Sequence, residues 1–273
     1  MDYRKIIAAL AVATTASVTM ADIVSSSVVG YQNKGFDAKF NYVCNTFVPV
    51  GGNRAAMTLG DITPNEDFVN SSIQFLTTGG ATAKITVDGL GTVKATFIYL
   101  DEDDAEDGAG WYCMADDDGE YNQNDRVIPF GDAYCVDRST GEPDAALVFA
   151  GEVQTTPVTK SFEAKFNYIG NCCPKDITLG DITPNAAFVN SSIQFLTTGG
   201  ATAKITVDGL GTPKATFIYL SEDDAEDGAG WYCMADDDGE YNQNDRVIPA
   251  GSAFCVDRST GEPEATLTIP AAL

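Results

Sequence analysis

Histidine is absent from this 273-residue chain, and Lys and Arg together number 16 against 40 Asp and Glu. Without histidine the usual Ser-His and Cys-His nucleophile pairs are missing, and so is the commonest general base. Zinc would have to manage without imidazole, and no Cys-x-x-Cys pair begins a site for it. The shortage of basic residues leaves no patch for phosphate, which argues against nucleic acid as a partner. No apolar run approaches the roughly 18 residues of a membrane-spanning helix, so no transmembrane segment is expected in the mature chain. A 3.6-residue apolar period is also missing beyond the first residues, which counts against a helical fold.

A glycosidase needs only two carboxylates at a fixed separation, and carboxylates are plentiful. They crowd, however, into Gly-bearing loops that preorganise poorly, and an enzyme would need two nearly identical sites. The expectation is a protein without catalytic residues.

The start of the chain reads as a secretory signal over 1–21. Arg4 and Lys5 form a basic opening, Ile6 to Ala13 is a short apolar run, and Thr19-Met-Ala21 is a small-residue cleavage site. The other reading of this stretch is a short N-terminal core helix. Export predicts a secreted, extracellular or cell-surface protein whose mature chain begins near Asp22.

The sequence contains itself twice. From Thr58 to Pro143 and from Thr178 to Pro263 the copies align without a gap at an offset of 120. Seven positions differ: Glu66/Ala186, Asp67/Ala187, Val93/Pro213, Asp101/Ser221, Phe130/Ala250, Asp132/Ser252 and Tyr134/Phe254. Upstream, Phe36-Asp-Ala-Lys-Phe-Asn-Tyr42 resembles Phe162-Glu-Ala-Lys-Phe-Asn-Tyr168, with six fewer residues in the second copy before Thr178. The period is too long for a solenoid, so two whole domains are expected, 22–150 and 151–273, joined near Ala150-Gly-Glu152.

Within each copy the pattern is that of strands. Phe40 and Tyr42 alternate with Lys39 and Asn41, and Ala83, Ile85 and Val87 with Lys84 and Thr86. Ala95 to Leu100 is apolar on both faces, as a central strand is. Val28 to Lys34 and Val153 to Lys160 read as first strands, Leu147 to Phe149 and Leu267 to Ile269 as last ones, and a short helical turn fits Thr58 to Asn65. Turn signals at Thr78-Gly-Gly80, Asp88-Gly-Leu-Gly91, Asp107-Gly-Ala-Gly110 and Thr140-Gly-Glu-Pro143 separate the runs. The expected fold class is all-β: two tandem antiparallel β-sandwich domains from an internal duplication.

Seven cysteines in an exported chain predict disulfides. Cys113 and Cys135 flank one acidic loop and Cys233 and Cys255 the other, so the simplest pairing is Cys113 with Cys135 and Cys233 with Cys255; the alternative is two buried thiols per copy. Cys44, Cys172 and Cys173 remain. Cys44 aligns with Gly170, and a bridge from Cys44 to Cys172 or Cys173 would join domain to domain or subunit to subunit.

The stretch Trp111 to Pro129 recurs unchanged at Trp231 to Pro249. Asp101 to Asp125 carries eleven carboxylates and no Lys or Arg, and Glu222 to Asp245 carries ten. Such a density repels itself unless solvated, screened or neutralised by cations. Asp116, Asp118, Glu120 and Asn122 recur at every second residue, with Asn124 next in the series and Asp125 after it; alternation in an extended loop sets hard oxygen ligands on one side, as Ca²⁺ requires. The candidate metal ligands are Asp116, Asp118, Glu120, Asn122 and Asp125, with Asp236, Asp238, Glu240, Asn242 and Asp245 in the second copy. Asp103, Asp104, Glu106 and Asp107 are candidates for further ligands. The EF-hand pattern does not apply, since Ala105 occupies a ligand position and no flanking helices are evident. The alternative is a solvated acidic surface. Trp111, Tyr112 and Tyr121, with Trp231, Tyr232 and Tyr241, are candidates for a sugar platform, although such residues more often serve core or strand-pair packing. Asn70-Ser-Ser72 and Asn190-Ser-Ser192 fit the N-glycosylation sequon.

At Trp111-Tyr and at Asp125-Arg-Val-Ile-Pro-Phe-Gly-Asp-Ala-Tyr-Cys-Val136 the chain resembles uncharacterised bacterial secreted β-sandwich domains. Those carry a Trp before a short polar hairpin and an Ile-Pro-Ala-Gly-x-x-Phe-x-Val run after it. Val247-Ile-Pro-Ala-Gly-Ser-Ala-Phe-Cys-Val256 fits that pattern, and the first copy departs from it at Phe130 and Tyr134. The resemblance covers about half of each domain. It implies export and a β-sandwich, and brings no activity.

These readings predict a structural or cell-surface protein that self-associates into a filament or layer, with calcium as a stabilising ion. The alternative is a bivalent adhesin or carbohydrate-binding module. Three of the seven differences fall within Phe130 to Tyr134, so this segment is expected to meet a different neighbour in each copy.

Overall fold

The computed structural model describes residues 29–36, 39–51, 57–68, 72–75, 96–105, 107–113, 122–138, 145–162, 165–189, 191–195, 216–233, 242–258 and 264–272. The chain is all-β with antiparallel sheets, and its helical pieces among these residues are three-residue 3-10 turns. The leader expected at 1–21 and the strand expected at Ala83 to Val87 lie outside the described residues, and both sequons include residues outside them.

In the first half, β1 (Val29–Gly35) pairs along its whole length with β11 (Ala146–Val153). The other side of β11 carries β5 (Ile62–Pro64) next to Leu147 to Phe149, and β3 (Phe47–Val48) next to Glu152 and Val153. A second sheet has the order β2 (Lys39–Cys44), β10 (Ala133–Arg138), β6 (Ser72–Phe75), β7 (Thr96–Leu100) and β8 (Gly110–Cys113). A small pair joins β4 (Met57–Thr58) to β9 (Val127–Ile128). Strand β7 is interior, between β6 and the edge strand β8, with Thr96 and Phe97 buried and Ile98 to Leu100 half-buried. Strand β11 runs through Ala150-Gly-Glu152 as far as Val153.

The second half repeats the scheme. Its five-stranded sheet has the order β13 (Lys165–Gly170), β20 (Ala253–Arg258), β16 (Ser192–Phe195), β17 (Thr216–Leu220) and β18 (Gly230–Cys233). A three-stranded sheet sets β21 (Thr266–Ile269) between β12 (Val158–Ser161) and β15 (Thr183–Pro184), and β14 (Ile177–Thr178) pairs with β19 (Val247–Ile248).

Alternation decides which side chains enter the core. On β10, Tyr134 and Val136 join Val43, Ile73, Phe97, Trp111 and Cys113, while the smaller sheet contributes Phe47, Ile62, Leu147 and Phe149. The 3-10 turns Leu59–Asp61 and Glu66–Phe68 add Leu59 and Phe68, both wholly buried. Asp61 holds the first turn by accepting from the Thr58 N–H at 2.7 Å and the Thr58 hydroxyl at 2.9 Å. Trp111 meets Phe68 and Tyr99 edge-on at 5.7 and 5.4 Å, and Trp231 meets Phe188 and Tyr219 likewise at 5.7 and 5.3 Å. Offset aromatic edges of this kind add to the burial itself.

The sheet order corrects the expected disulfides. Cys113 lies on the edge strand β8 and Cys135 on β10, with β6 and β7 between them. Three strand spacings amount to about 14 Å, and a disulfide needs a Cα separation of about 4.4–6.8 Å. Cys113 also faces the core with Trp111, whereas Cys135 points to the opposite face from Tyr134 and Val136. The same order separates Cys233 from Cys255. All seven cysteines are buried thiols.

The halves meet where the edge strands β2 and β13 end. The Cys44 N–H donates to Gly251 O at 3.0 Å, and the Gly170 N–H to Gly131 O at 3.1 Å. Val43 bridges Ser252, and Ile169 bridges Asp132. Each contact is the other with the copies exchanged, which is the reciprocity of a twofold interface. The Phe130 to Tyr134 segment does meet different neighbours: Asp132 pairs with Lys160 at 2.8 Å and Phe130 packs on the second core, while Ser252 turns back to Pro249 O at 2.7 Å.

Candidate functional site

The repeated acidic hairpin is anchored by the residues that follow its acidic run. Asn124 accepts the Trp111 N–H through Oδ1 at 3.0 Å, and its carbonyl accepts the Gly60 N–H at 2.8 Å. A Cβ on Gly110 would sit 2.9 Å from the Asn124 amide atoms, so glycine is needed for the close approach. The Leu59 N–H donates to Arg126 O at 2.9 Å, and the Arg126 guanidinium lies 5.6 Å from the Phe97 ring centre. The second half repeats the arrangement with Asn244, Gly180, Leu179 and Arg246.

Two of the candidate metal ligands are already engaged by this scaffold. Asn122 Nδ2 donates to Asp107 Oδ2 at 2.9 Å, and Asn122 Oδ1 accepts the Asn124 N–H at 3.4 Å. Asn242 does the same with Asp227 and Asn244. Asp125 and Asp245 stand exposed on the turn beyond. Asp116, Asp118, Glu120, Asp236, Asp238 and Glu240 lie outside the described residues, as does Glu106. Among the described residues no three Cys, Asp or Glu side chains gather as a metal cage.

Upstream, Asp101 Oδ1 accepts the N–H groups of Asp103 and Asp104 at 3.0 and 3.1 Å, closing an Asx turn. Where the second copy has Ser221, its hydroxyl donates to Asp224 Oδ2 at 2.7 Å. The turn is kept with a different partner, the side-chain bond running to the Asp224 carboxylate while the Asp224 N–H donates to Ser221 O at 3.2 Å.

The sugar platform is corrected by burial. Trp111, Tyr112, Trp231 and Tyr232 are each 1% exposed. Tyr112 spends its hydroxyl on Gly108 O at 2.6 Å and Tyr232 its hydroxyl on Gly228 O at 2.5 Å. These rings offer no face to a saccharide. Tyr121 and Tyr241 lie outside the described residues.

A second cluster, at the junction of the halves, comes together from residues far apart in sequence. Lys34 gives Nζ to Gly251 O at 3.0 Å, and burial pulls its pKa down. Lys160 contacts Asp132 beside Gly131, and Cys44 and Cys172 pack in the same core cluster of the second half. Burial, with the neighbouring Cys172 next in effect, holds the Cys44 thiol well above its ordinary range. Burial and then Cys173 push Cys172 up to about 12. The signals for this cluster were the odd cysteines and the Asp132/Ser252 difference, but neither identified Lys160 as the partner.

Chemically, the described parts of the acidic stretches hold Glu102, Asp103, Asp104, Asp107 and Asp125 at solvent, and the junction holds buried thiols away from it. Among the described residues no helix is long and apolar enough to cross a membrane. No family model, curated protein or solved structure matches the chain.

Proposed function

We propose that this chain is an exported, non-enzymatic structural or cell-surface protein of two tandem β-sandwich domains that self-associates into a filament or layer. The observation that carries this reading is an unmatched sheet edge. Among the described residues strand β1 is paired on one side only, and its exposed positions include Val29 and Tyr31, 61% and 68% accessible. At the offset of 126 that aligns Phe36 with Phe162, the second half has Thr155, Thr156 and Pro157 in place of Val29, Gly30 and Tyr31, and β12 begins only at Val158. Proline there shortens and blunts the second edge, while the first runs for seven residues with Val29 and Tyr31 exposed ahead of Gln32, Asn33 and Lys34. An open strand edge is a template for another strand, and a contact between unlike edges of successive copies does not close on itself.

Calcium enters this reading as a counter-ion of the acidic hairpins, relieving self-repulsion between neighbouring copies. The bivalent sugar-binding alternative loses support from the burial of Trp111, Tyr112, Trp231 and Tyr232. The test is the light-scattering mass of the oxidised mature chain across a concentration series, with calcium added and then removed by a chelator. Growth beyond a monomer that Tyr31→Lys abolishes supports the reading, and reversal by the chelator supports the role of calcium. A constant monomer mass at all concentrations, with and without calcium, would overturn it.

A further inference from the structure

Of the seven thiols, two from opposite halves share one buried site. Cys44 ends β2 of the first half, yet it packs in the second half's core beside Ile169, Cys172 and Cys173. The position that a Cβ on Gly170 would take lies 2.4 Å from Cys44 Cβ, and the corresponding point on Gly131 lies 3.9 Å from Cys172 Sγ. Gly170 and Gly131 are themselves hydrogen-bonded at 3.1 Å, so both cysteines flank one backbone contact. On the other side, Gly251 accepts the Cys44 N–H at 3.0 Å and donates to Asn171 O at 2.9 Å. Cys173 is turned away, with its thiol donating to Pro270 O at 2.8 Å and its N–H held by Asn171 Oδ1 at 3.0 Å.

We propose that Cys44 and Cys172 are joined by a disulfide that staples the two halves across this junction. The inference does not depend on self-association, and it needs only an oxidising environment. The oxidant is a disulfide of a small thiol or an oxidoreductase. The Cys44 thiolate attacks one of its sulfurs, forming a mixed disulfide and releasing one acceptor thiolate. The Cys172 thiolate then attacks the Cys44 sulfur and expels the second. Two electrons pass to the acceptor, and the two cysteine protons end on its released thiolates. Burial keeps both thiols neutral in the closed structure, as the raised pKa of each records. Oxidation therefore belongs to the chain before the junction closes, when the thiols ionise normally. Once formed, the bond is shielded from exchange.

The full chain is reduced and unfolded, refolded in a glutathione redox buffer, quenched in acid, unfolded again and alkylated. Five alkylated cysteines of the seven, with a peptide joining Cys44 to Cys172, are expected. Cys173→Ser should keep that crosslink, whereas Cys44→Ser should lose it and leave six alkylated thiols. Seven alkylated thiols in the wild type, a link from Cys44 to any other cysteine or to a second chain, or loss of the crosslink in Cys173→Ser would overturn the proposal.

Discussion

Cys44 and Gly170 occupy equivalent places in the two halves and face each other, with 2.4 Å between the Cys44 Cβ and the point where Gly170 would carry one. A contact that meets its own equivalent across an approximate twofold has room for one side chain. The chain fills it once, with cysteine from the first half and glycine from the second. The difference between the copies at this position is thus a packing requirement.

Gly170→Ala should therefore destabilise the chain by about 1–3 kcal/mol, the usual cost of overpacking, since Ser252 O at 2.6 Å also blocks the added methyl. Under reducing conditions, so that no disulfide is lost with it, Cys44→Gly in the same chain should recover only the part of the loss that comes from the Cys44 contact, since Ser252 O stays in place. Urea unfolding of the two single variants and the double variant measures the coupling. Additive losses would show that the two positions do not share one space.

Much of the strand pattern could be read locally. On β10 the alternation of Tyr134 and Val136 with Cys135 and Asp137 gives the core face directly, and Thr96 to Leu100 is an interior strand, as its composition implies. What could not be read was pairing. Cys113 and Cys135 flank one loop in sequence, but β6 and β7 intervene in space. Nor does Trp111-Tyr112 announce that both faces of β8 are covered, because the residues that cover them come from other strands and turns. The junction depends on Lys34, Cys44, Asp132 and Lys160, which no local pattern brings together.

Asn124 supplies a cleaner test of the hairpin scaffold. Asn124→Ala removes the acceptor for the Trp111 N–H and leaves that donor without its partner beside the core, at a cost of about 1–3 kcal/mol. Asn122→Ala breaks an exposed bond to Asp107 and the long 3.4 Å bond from the Asn124 N–H, and should cost less than about 1 kcal/mol. Asn244→Ala and Asn242→Ala should repeat that order. Chemical denaturation of the four variants checks it, and equal losses at Asn122 and Asn124 would remove the anchoring role from Asn124.

Cys135 and Cys255, buried on the sheet faces opposite Tyr134 and Phe254, predict a loss of stability in alkali. Burial, and then the charge of Asp137, pushes Cys135 up to about 12, and burial with Asp257 does the same for Cys255. Between the ordinary value of 9.0 and about 12 the unfolded chain has released these protons and the folded chain still holds them. The unfolded state therefore binds fewer protons, and stability is complete below pH 9 and falls as pH rises toward 12. Tyr168, raised by burial to about 12, adds to the same fall. The melting temperature of Cys135→Ala/Cys255→Ala should drop less between pH 8.5 and 10.5 than that of the wild type, whatever its starting value. An unchanged drop would mean that these thiols ionise in the folded chain as they do in water.

The two tryptophans can decide between an assembling subunit and a sugar-binding module. Trp111 and Trp231 are the only ones in the chain, and each is packed edge-on between two other rings. Their emission should be blue-shifted, resistant to iodide until the chain unfolds, and unmoved by saccharides. A sugar platform requires the reverse, because stacking on a pyranose needs an exposed ring face and changes the solvent around it. Iodide quenching of the folded protein that saccharides relieve would transfer the ring faces from the core to a binding site. With the rings enclosed, the assembling reading rests on the open edge of β1 with its exposed Val29 and Tyr31.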